Sequence, residues 1–171
     1  MTSINVLKNK IPVEQAQALV EIMRSKDLLT TLCGLSGKEI ALDWSNQGLG
    51  AGDTVLIAND IKNHLALSSV NMLNNGIGVE QANALVDIMK SKDNLKTLCG
   101  FSGDETELDL SSKRLTPGCA VLVANEVKNN GAVTNLDISN NRLGGYYNAY
   151  AEWISDMNGI KALAAAIPEC K

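Results

Sequence analysis

Aromatic residues make up only 4% of this 171-residue chain, and there is a single histidine. A core this poor in rings must be filled by aliphatic side chains, and Leu, Ile, Val and Ala dominate the composition. One histidine leaves out the usual zinc sites, and no cysteine lies near enough to another to form a Cys-x-x-Cys pair. The four cysteines are Cys33, Cys99, Cys119 and Cys170. Cys33 and Cys99 fall at equivalent places in two similar segments, too far apart to bridge if the segments stack regularly, so free and partly buried thiols are expected.

Other absences bear on setting and partners. No apolar run approaches the roughly 18 residues of a membrane span. There is no charged and then apolar leader after Met1, and no Asn-x-Ser/Thr acceptor occurs. These absences lead to the expectation of a cytoplasmic protein that binds no membrane. A formal net charge of −4 argues against a nucleic-acid binder, which needs a basic face to neutralise phosphates.

What the chain does contain is repetition. Leu136-Asp137-Ile138-Ser139-Asn140-Asn141-Arg142-Leu143 reads L-x-L-x-x-N-x-L, and imperfect copies run Leu108 to Leu115, Val70 to Ile77, Leu42 to Leu49 and Ile4 to Ile11. From Asn5 to Asn71 is 66 positions, an offset that carries Thr31-Leu32-Cys33-Gly34 onto Thr97-Leu98-Cys99-Gly100. The spacing alternates: Leu42 to Val70 is 28, Val70 to Leu108 is 38, and Leu108 to Leu136 is 28. About 28 residues accommodate a strand, two turns and three helical turns.

Each unit has a physical reading. Leu136-Asp137-Ile138 alternates apolar and polar, so one strand face enters the core and the other stays outside. Helices are predicted at 13–25, 53–63, 79–91, 118–129 and roughly 158–167. In the first, Ala16, Leu19, Val20 and Met23 form one apolar stripe. Strands separated by helices must run parallel. Helices are wider than strands, so stacking is expected to bend the array, leaving the strands on the concave side. The Asn of the signature turns inward to satisfy backbone groups; its positions are Asn9, Gln47, Asn75, Lys113 and Asn141. Lys113 cannot accept a hydrogen bond and is expected to reach solvent. Trp44 stands on an inward position. The additional residues of the long units, Cys33–Glu39 and Cys99–Glu105 with their flanks, read as loops pinned by Leu35 and Phe101.

These residues resemble the leucine-rich repeat superfamily, and within it the ribonuclease-inhibitor-like class with helices on the convex side. The resemblance covers about residues 4–167. It implies an α/β solenoid of five units in one domain, 1–171, with an aromatic insertion and capping helix over 144–171. It also implies a scaffold for binding other proteins, without an enzymatic activity or a cofactor.

The chemistry in the sequence agrees with that expectation. Gly34-Leu35-Ser36-Gly37-Lys38 lacks the second glycine of a nucleophile elbow and the spacing of a phosphate loop. His64 lies at a helix end. Partner-binding candidates are outward strand residues Asp43, Asn71, Glu107, Asp109 and Asp137, together with Tyr146, Tyr147, Tyr150 and Trp153. The acidic row suits a basic protein segment; it equally suits the solubility of an exposed strand face. The aromatic segment reads either as a cap over the core or as a contact patch. Because the first strand follows Met1 with no cap before it, self-association through that edge, or a longer array, is the alternative expectation.

Overall fold

A computed structural model describes every residue except Asp27, Ala149, Cys170 and Lys171, and only the backbone of Glu169. Among the described residues the protein is mixed α/β, with five helices, short strand pairs and no closed barrel. The helices are α1 (Val13–Arg24), α2 (Ala51–Asn63), α3 (Val79–Lys90), α4 (Pro117–Asn129) and α5 (Asn158–Ala166). Helix α1 buries Ala16, Val20 and Met23, the stripe its spacing predicts. Helix α4 starts at Pro117, whose missing N–H is no loss in a first turn. Thr116 accepts a hydrogen bond from the Cys119 N–H as its cap. Among the described residues no helix is long and apolar enough to cross a membrane.

The strands are β1 (Ala41–Asp43), β2 (Ser69–Asn71), β3 (Glu107–Asp109), β4 (Asn135–Asp137), β5 (Gly145–Tyr147) and β6 (Trp153–Ser155). β1 pairs with β2 and β3 with β4 in parallel, with Leu42 beside Val70 and Leu108 beside Leu136. β5 and β6 form an antiparallel hairpin. Single bridges add Ser3 to Thr31 and Ser69 to Thr97. The described strands therefore form separate two-stranded sheets, where the parallel strands expected on the concave side would make one short sheet.

The reason lies in two buried carboxyl groups. Asp60, on the last turn of α2, accepts hydrogen bonds from the Thr31 hydroxyl (2.5 Å) and the N–H groups of Leu32 (3.0 Å) and Cys33 (2.8 Å). Glu126 on α4 accepts from the Thr97 hydroxyl (2.7 Å), the Cys99 N–H (2.8 Å) and the Leu98 N–H. At these two places a helix side chain takes the donors that a further strand would otherwise satisfy. Burial pushes the Glu126 carboxyl above its ordinary range, against the pull of those N–H and hydroxyl donors.

The segments after these two breaks are ordered by carboxylates as well. Glu39 accepts from the N–H groups of Ser36, Gly37 and Lys38, and Glu105 from those of Ser102 and Gly103. Leu35 and Phe101 pack against the core, as the pinned-loop reading expects. Gly34 and Gly100 have φ of 75°, and a side chain on either would press on Asn5 or Asn71 at 3.1 and 3.0 Å.

The core is one largely aliphatic cluster with members from all five helices, and Leu49, Leu56, Ile57, Ile61, Leu67, Leu85, Leu98, Leu115 and Leu122 are fully enclosed. Trp44 belongs to it, as its inward position implies. Asn75 is the polar centre of the middle unit. Its Oδ1 accepts from the N–H groups of Gln47 and Leu49, and its Nδ2 donates to the carbonyls of Trp44, Met72 and Leu73. Asn141 repeats the arrangement with Leu115, Leu110, Ile138 and Ser139. Lys113 is exposed, as expected of a residue that cannot accept.

Candidate functional site

The strand-face candidates sit where the alternation puts them. Asp43, Glu107, Asp109 and Asp137 are exposed and Asn71 is half-buried. Register brings Asp109 beside Asp137 and Asp43 beside Asn71. Each of these four holds its own backbone: Oδ1 accepts the N–H two residues on, from Ser45, Leu73, Ser111 and Ser139. This local turn is a common use of Asp and Asn where a strand bends away. The Ser111 hydroxyl and N–H hold the Asp109 carboxyl below its ordinary value, and the charge of Lys113 adds to the effect. Among the described residues no salt bridge reaches any of the four carboxylates. The cavities described below are lined by other residues.

The aromatic candidates form the β5–β6 hairpin. Tyr146 faces Ile154, and Tyr147 faces Trp153. The rings of Tyr147 and Trp153 meet edge-on at 5.2 Å. Asn148 closes the turn, accepting the N–H groups of Tyr150 and Glu152 and donating to the Glu152 carboxylate. The Trp153 ring lies over Gly145, where a Cβ would come within 2.6 Å of it. Tyr150 is 85% exposed and Tyr147 56%, so the hairpin covers little of the core. That cover comes from α5, whose Leu163 and Ala166 join the core cluster against α4.

Around the hairpin the structure brings in residues that the repeat pattern does not single out. A cleft of about 600 Å³ runs between the starts of α3 and α4 and the hairpin. Arg114 and Arg142 line it beside Tyr146 and Tyr147, with Glu80 and Asp156 also on its walls. The Arg142 guanidinium lies over the Tyr147 ring, 5.4 Å from its centre, in cation–π contact. The available signal was the basic residue at equivalent places of two units, Lys113-Arg114 and Asn141-Arg142.

His64 is buried at the end of α2, with both ring nitrogens engaged. Nε2 is 2.9 Å from a Glu39 oxygen, and Nδ1 accepts from the Leu67 N–H at 3.2 Å. Since Nδ1 accepts, the proton is assigned to Nε2, which donates to Glu39. That bond and the loop N–H groups hold the Glu39 carboxyl well below the usual range. Ser36 and His64 share the lining of a cavity of about 290 Å³. The Ser36 hydroxyl there accepts from the Lys38 N–H, and no Ser–His hydrogen bond forms. Cys33, Cys99 and Cys119 are free and buried; burial pushes the thiols of Cys33 and Cys99 up, away from the reactive thiolate. Cys170 lies outside the described residues. Among the described residues no three His, Cys, Asp or Glu side chains come together as a metal-ion site.

Compared with family models and with curated proteins, the chain finds no match.

Proposed function

We propose that this protein is a binding scaffold of the helix-containing leucine-rich repeat kind, a solenoid of alternating 28- and 38-residue units that takes a basic segment of a partner protein on its strand face. The repeat reading is supported by the pairing of strand residues 28 positions apart and by the inward hydrogen bonding of Asn75 and Asn141. The observation that carries the binding reading is the set of exposed carboxylates on the strands, Asp43 on β1 and Glu107, Asp109 and Asp137 on the β3–β4 pair. Their Asp members are fixed by their own turns, Asp109 and Asp137 stand side by side in register, and none forms a salt bridge among the described residues. Like charges held side by side repel. A lysine or arginine from outside relieves that repulsion and finds acceptors already positioned, which speeds encounter and selects the partner.

The test follows from the turn geometry. Asparagine keeps the Oδ1 acceptor and loses only the charge, so Asp43→Asn, Asp109→Asn and Asp137→Asn together leave the strand ends intact. Proteins captured by the immobilised wild type are compared on this triple variant, alongside a synthetic oligolysine peptide. The expected result is binding weakened about tenfold or more, with the salt dependence of the wild type flattened. Equal capture by the wild type and the triple variant at low salt refutes this placement of the site.

A further inference from the structure

The strand face accounts for neither the arginines nor the cleft beside the hairpin. Arg114 and Arg142 line one concavity of about 600 Å³, within the usual size of a small-ligand pocket. Neither guanidinium makes a salt bridge among the described residues, although Glu80 and Asp156 line the same cleft. Asp156 is engaged elsewhere, its Oδ1 accepting the Asn158 N–H at the start of α5. Arg142 is positioned over the Tyr147 ring, which is itself held by Trp153. A cation–π contact of this kind occupies no N–H donor, so those of Arg142 stay available to a ligand.

Arg114 stands in a turn conformation that Lys10 and Gly48 share at the equivalent places of two other copies. Its backbone is left-handed, with φ of 56°, a conformation that costs a residue with a side chain energy and that glycine adopts freely. The matching position 66 residues earlier is Gly48, which is also left-handed with φ of 68°. Of the three, Arg114 is the one that lines the cleft.

We propose that this cleft binds a carboxylate carried on an apolar or aromatic body, Arg114 and Arg142 taking the carboxylate and Tyr146 and Tyr147 the body. A guanidinium's planar fork matches the flat, two-oxygen geometry of a carboxylate, and two of them line this one cleft. Glu80 and Asp156 offset the two arginines, so the lining as a whole is close to neutral. That balance favours a monoanion over a phosphate dianion. The exposed tyrosine rings supply a flat apolar wall at low entropy cost. The carboxylate can be that of a small aromatic acid or that of a peptide's C-terminal residue, since both present the same group to the cleft. This site is separate from the acidic strand face and of the opposite charge preference.

The experiment is calorimetric titration of the full chain with N-acetylphenylalanine and with a short peptide ending in a free Phe, each against its carboxamide. Saturable binding is expected for the acids, and binding about tenfold or more weaker for the amides, the effect of losing charge-assisted hydrogen bonds. Arg114→Gln and Arg142→Gln should weaken the acids to a similar extent. The Asp43/Asp109/Asp137→Asn triple variant should bind them like the wild type, whatever becomes of the strand face. Preference between the free acid and the peptide identifies the source of the carboxylate. No saturable binding of either acid at millimolar concentration, equal binding of acid and amide, or phenyl phosphate binding more tightly than both acids overturns the proposal. Because the amide comparison uses wild-type protein, it holds even if an arginine variant fails to fold.

Discussion

Replacing Asp60 by alanine tests the account of why the strands do not form one sheet. Asp60 is 3% exposed, and its oxygens take the Thr31 hydroxyl and the N–H groups of Leu32 and Cys33. Alanine leaves the Leu32 N–H buried without an acceptor, at a cost of about 1–3 kcal/mol. The Cys33 N–H keeps a second acceptor, the Thr31 Oγ1 at 3.1 Å, so its loss is smaller. The Thr31 hydroxyl loses the group it donates to, adding about 1 kcal/mol. Removing a buried carboxyl recovers part of this, because its own desolvation opposes folding. The net expectation is a loss of about 3 kcal/mol, a large share of the 5–15 kcal/mol typical of a domain.

Asp60→Asn retains one oxygen for the two N–H groups. It places an NH₂ near Thr31, whose oxygen already accepts from Cys33 and Leu35, so about half the loss is expected. Urea unfolding followed by circular dichroism measures both variants. With a slope of about 1–3 kcal/mol per molar, Asp60→Ala should lower the midpoint by about 1 M or more at unchanged slope. Asp43→Ala is the control, since Asp43 is exposed and water can replace its single bond to the Ser45 N–H; its midpoint should move little. If Asp60→Ala unfolds at the wild-type midpoint, or no earlier than Asp43→Ala, the carboxyl group does not close the strand, and the reasoning fails.

Two further predictions concern packing and pH. Gly52 lies at the start of α2, where a Cβ would stand 1.9 Å from the Ile11 carbonyl oxygen. Gly52→Ala should therefore lose about 1–3 kcal/mol in urea unfolding despite the better helix propensity of alanine, whereas Gly131→Ala, with open space around it, should leave the midpoint unchanged or raise it. Glu39, whose carboxyl is held low by the His64 ring and the loop N–H groups, binds protons less readily folded than unfolded. Its contribution to stability is present above its ordinary value of 4.5 and is lost as pH falls below that. Between pH 7 and pH 3 the unfolding midpoint should fall further for the wild type than for Glu39→Gln; equal falls would show that Glu39 gives no acid sensitivity.

The helices are legible in the sequence because local chemistry sets their limits. Predicted and observed α3 both start at Val79, and α2 and α4 end at the predicted Asn63 and Asn129, while α4 begins one residue early, at Pro117. Central strand residues Leu42, Val70, Leu108 and Leu136 are legible for the same reason, each being apolar between polar or small neighbours. Thr31–Cys33 and Thr97–Cys99 read locally as the approach to loops. Their pairing with Ser3–Asn5 and Ser69–Asn71 rests on partners 28 residues away, which only the offset from Ser3 to Thr31 signals. Asp60 and Glu126 signal themselves only as acidic residues 66 positions apart, and a carboxylate in a helix otherwise reads as a solvated face until the fold turns it inward. The Tyr146–Trp153 segment hides its hairpin because its turn is built from Asn148 side-chain bonds, without the usual Asn-Gly or Gly-Gly pair.

The candidate site divides along the same line between local and distant causes. That Asp43, Asp109 and Asp137 face outward follows from alternation, a property of three adjacent residues. That Arg114 and Arg142 share a cleft follows from the pairing of β3 with β4 and from a hairpin that begins only after β4. No pattern within either unit encodes that meeting. Equivalent positions in a repetitive chain are pressed toward the same side chain by the same packing, as Asn75 and Asn141 show by making nearly the same hydrogen bonds. Where such positions differ without a packing reason, as Gly48 and Arg114 do in the same left-handed backbone, the scaffold does not explain the difference. Lys10 holds the same left-handed backbone in the first half, so what sets Arg114 apart is the cleft it lines together with Arg142, Tyr146 and Tyr147.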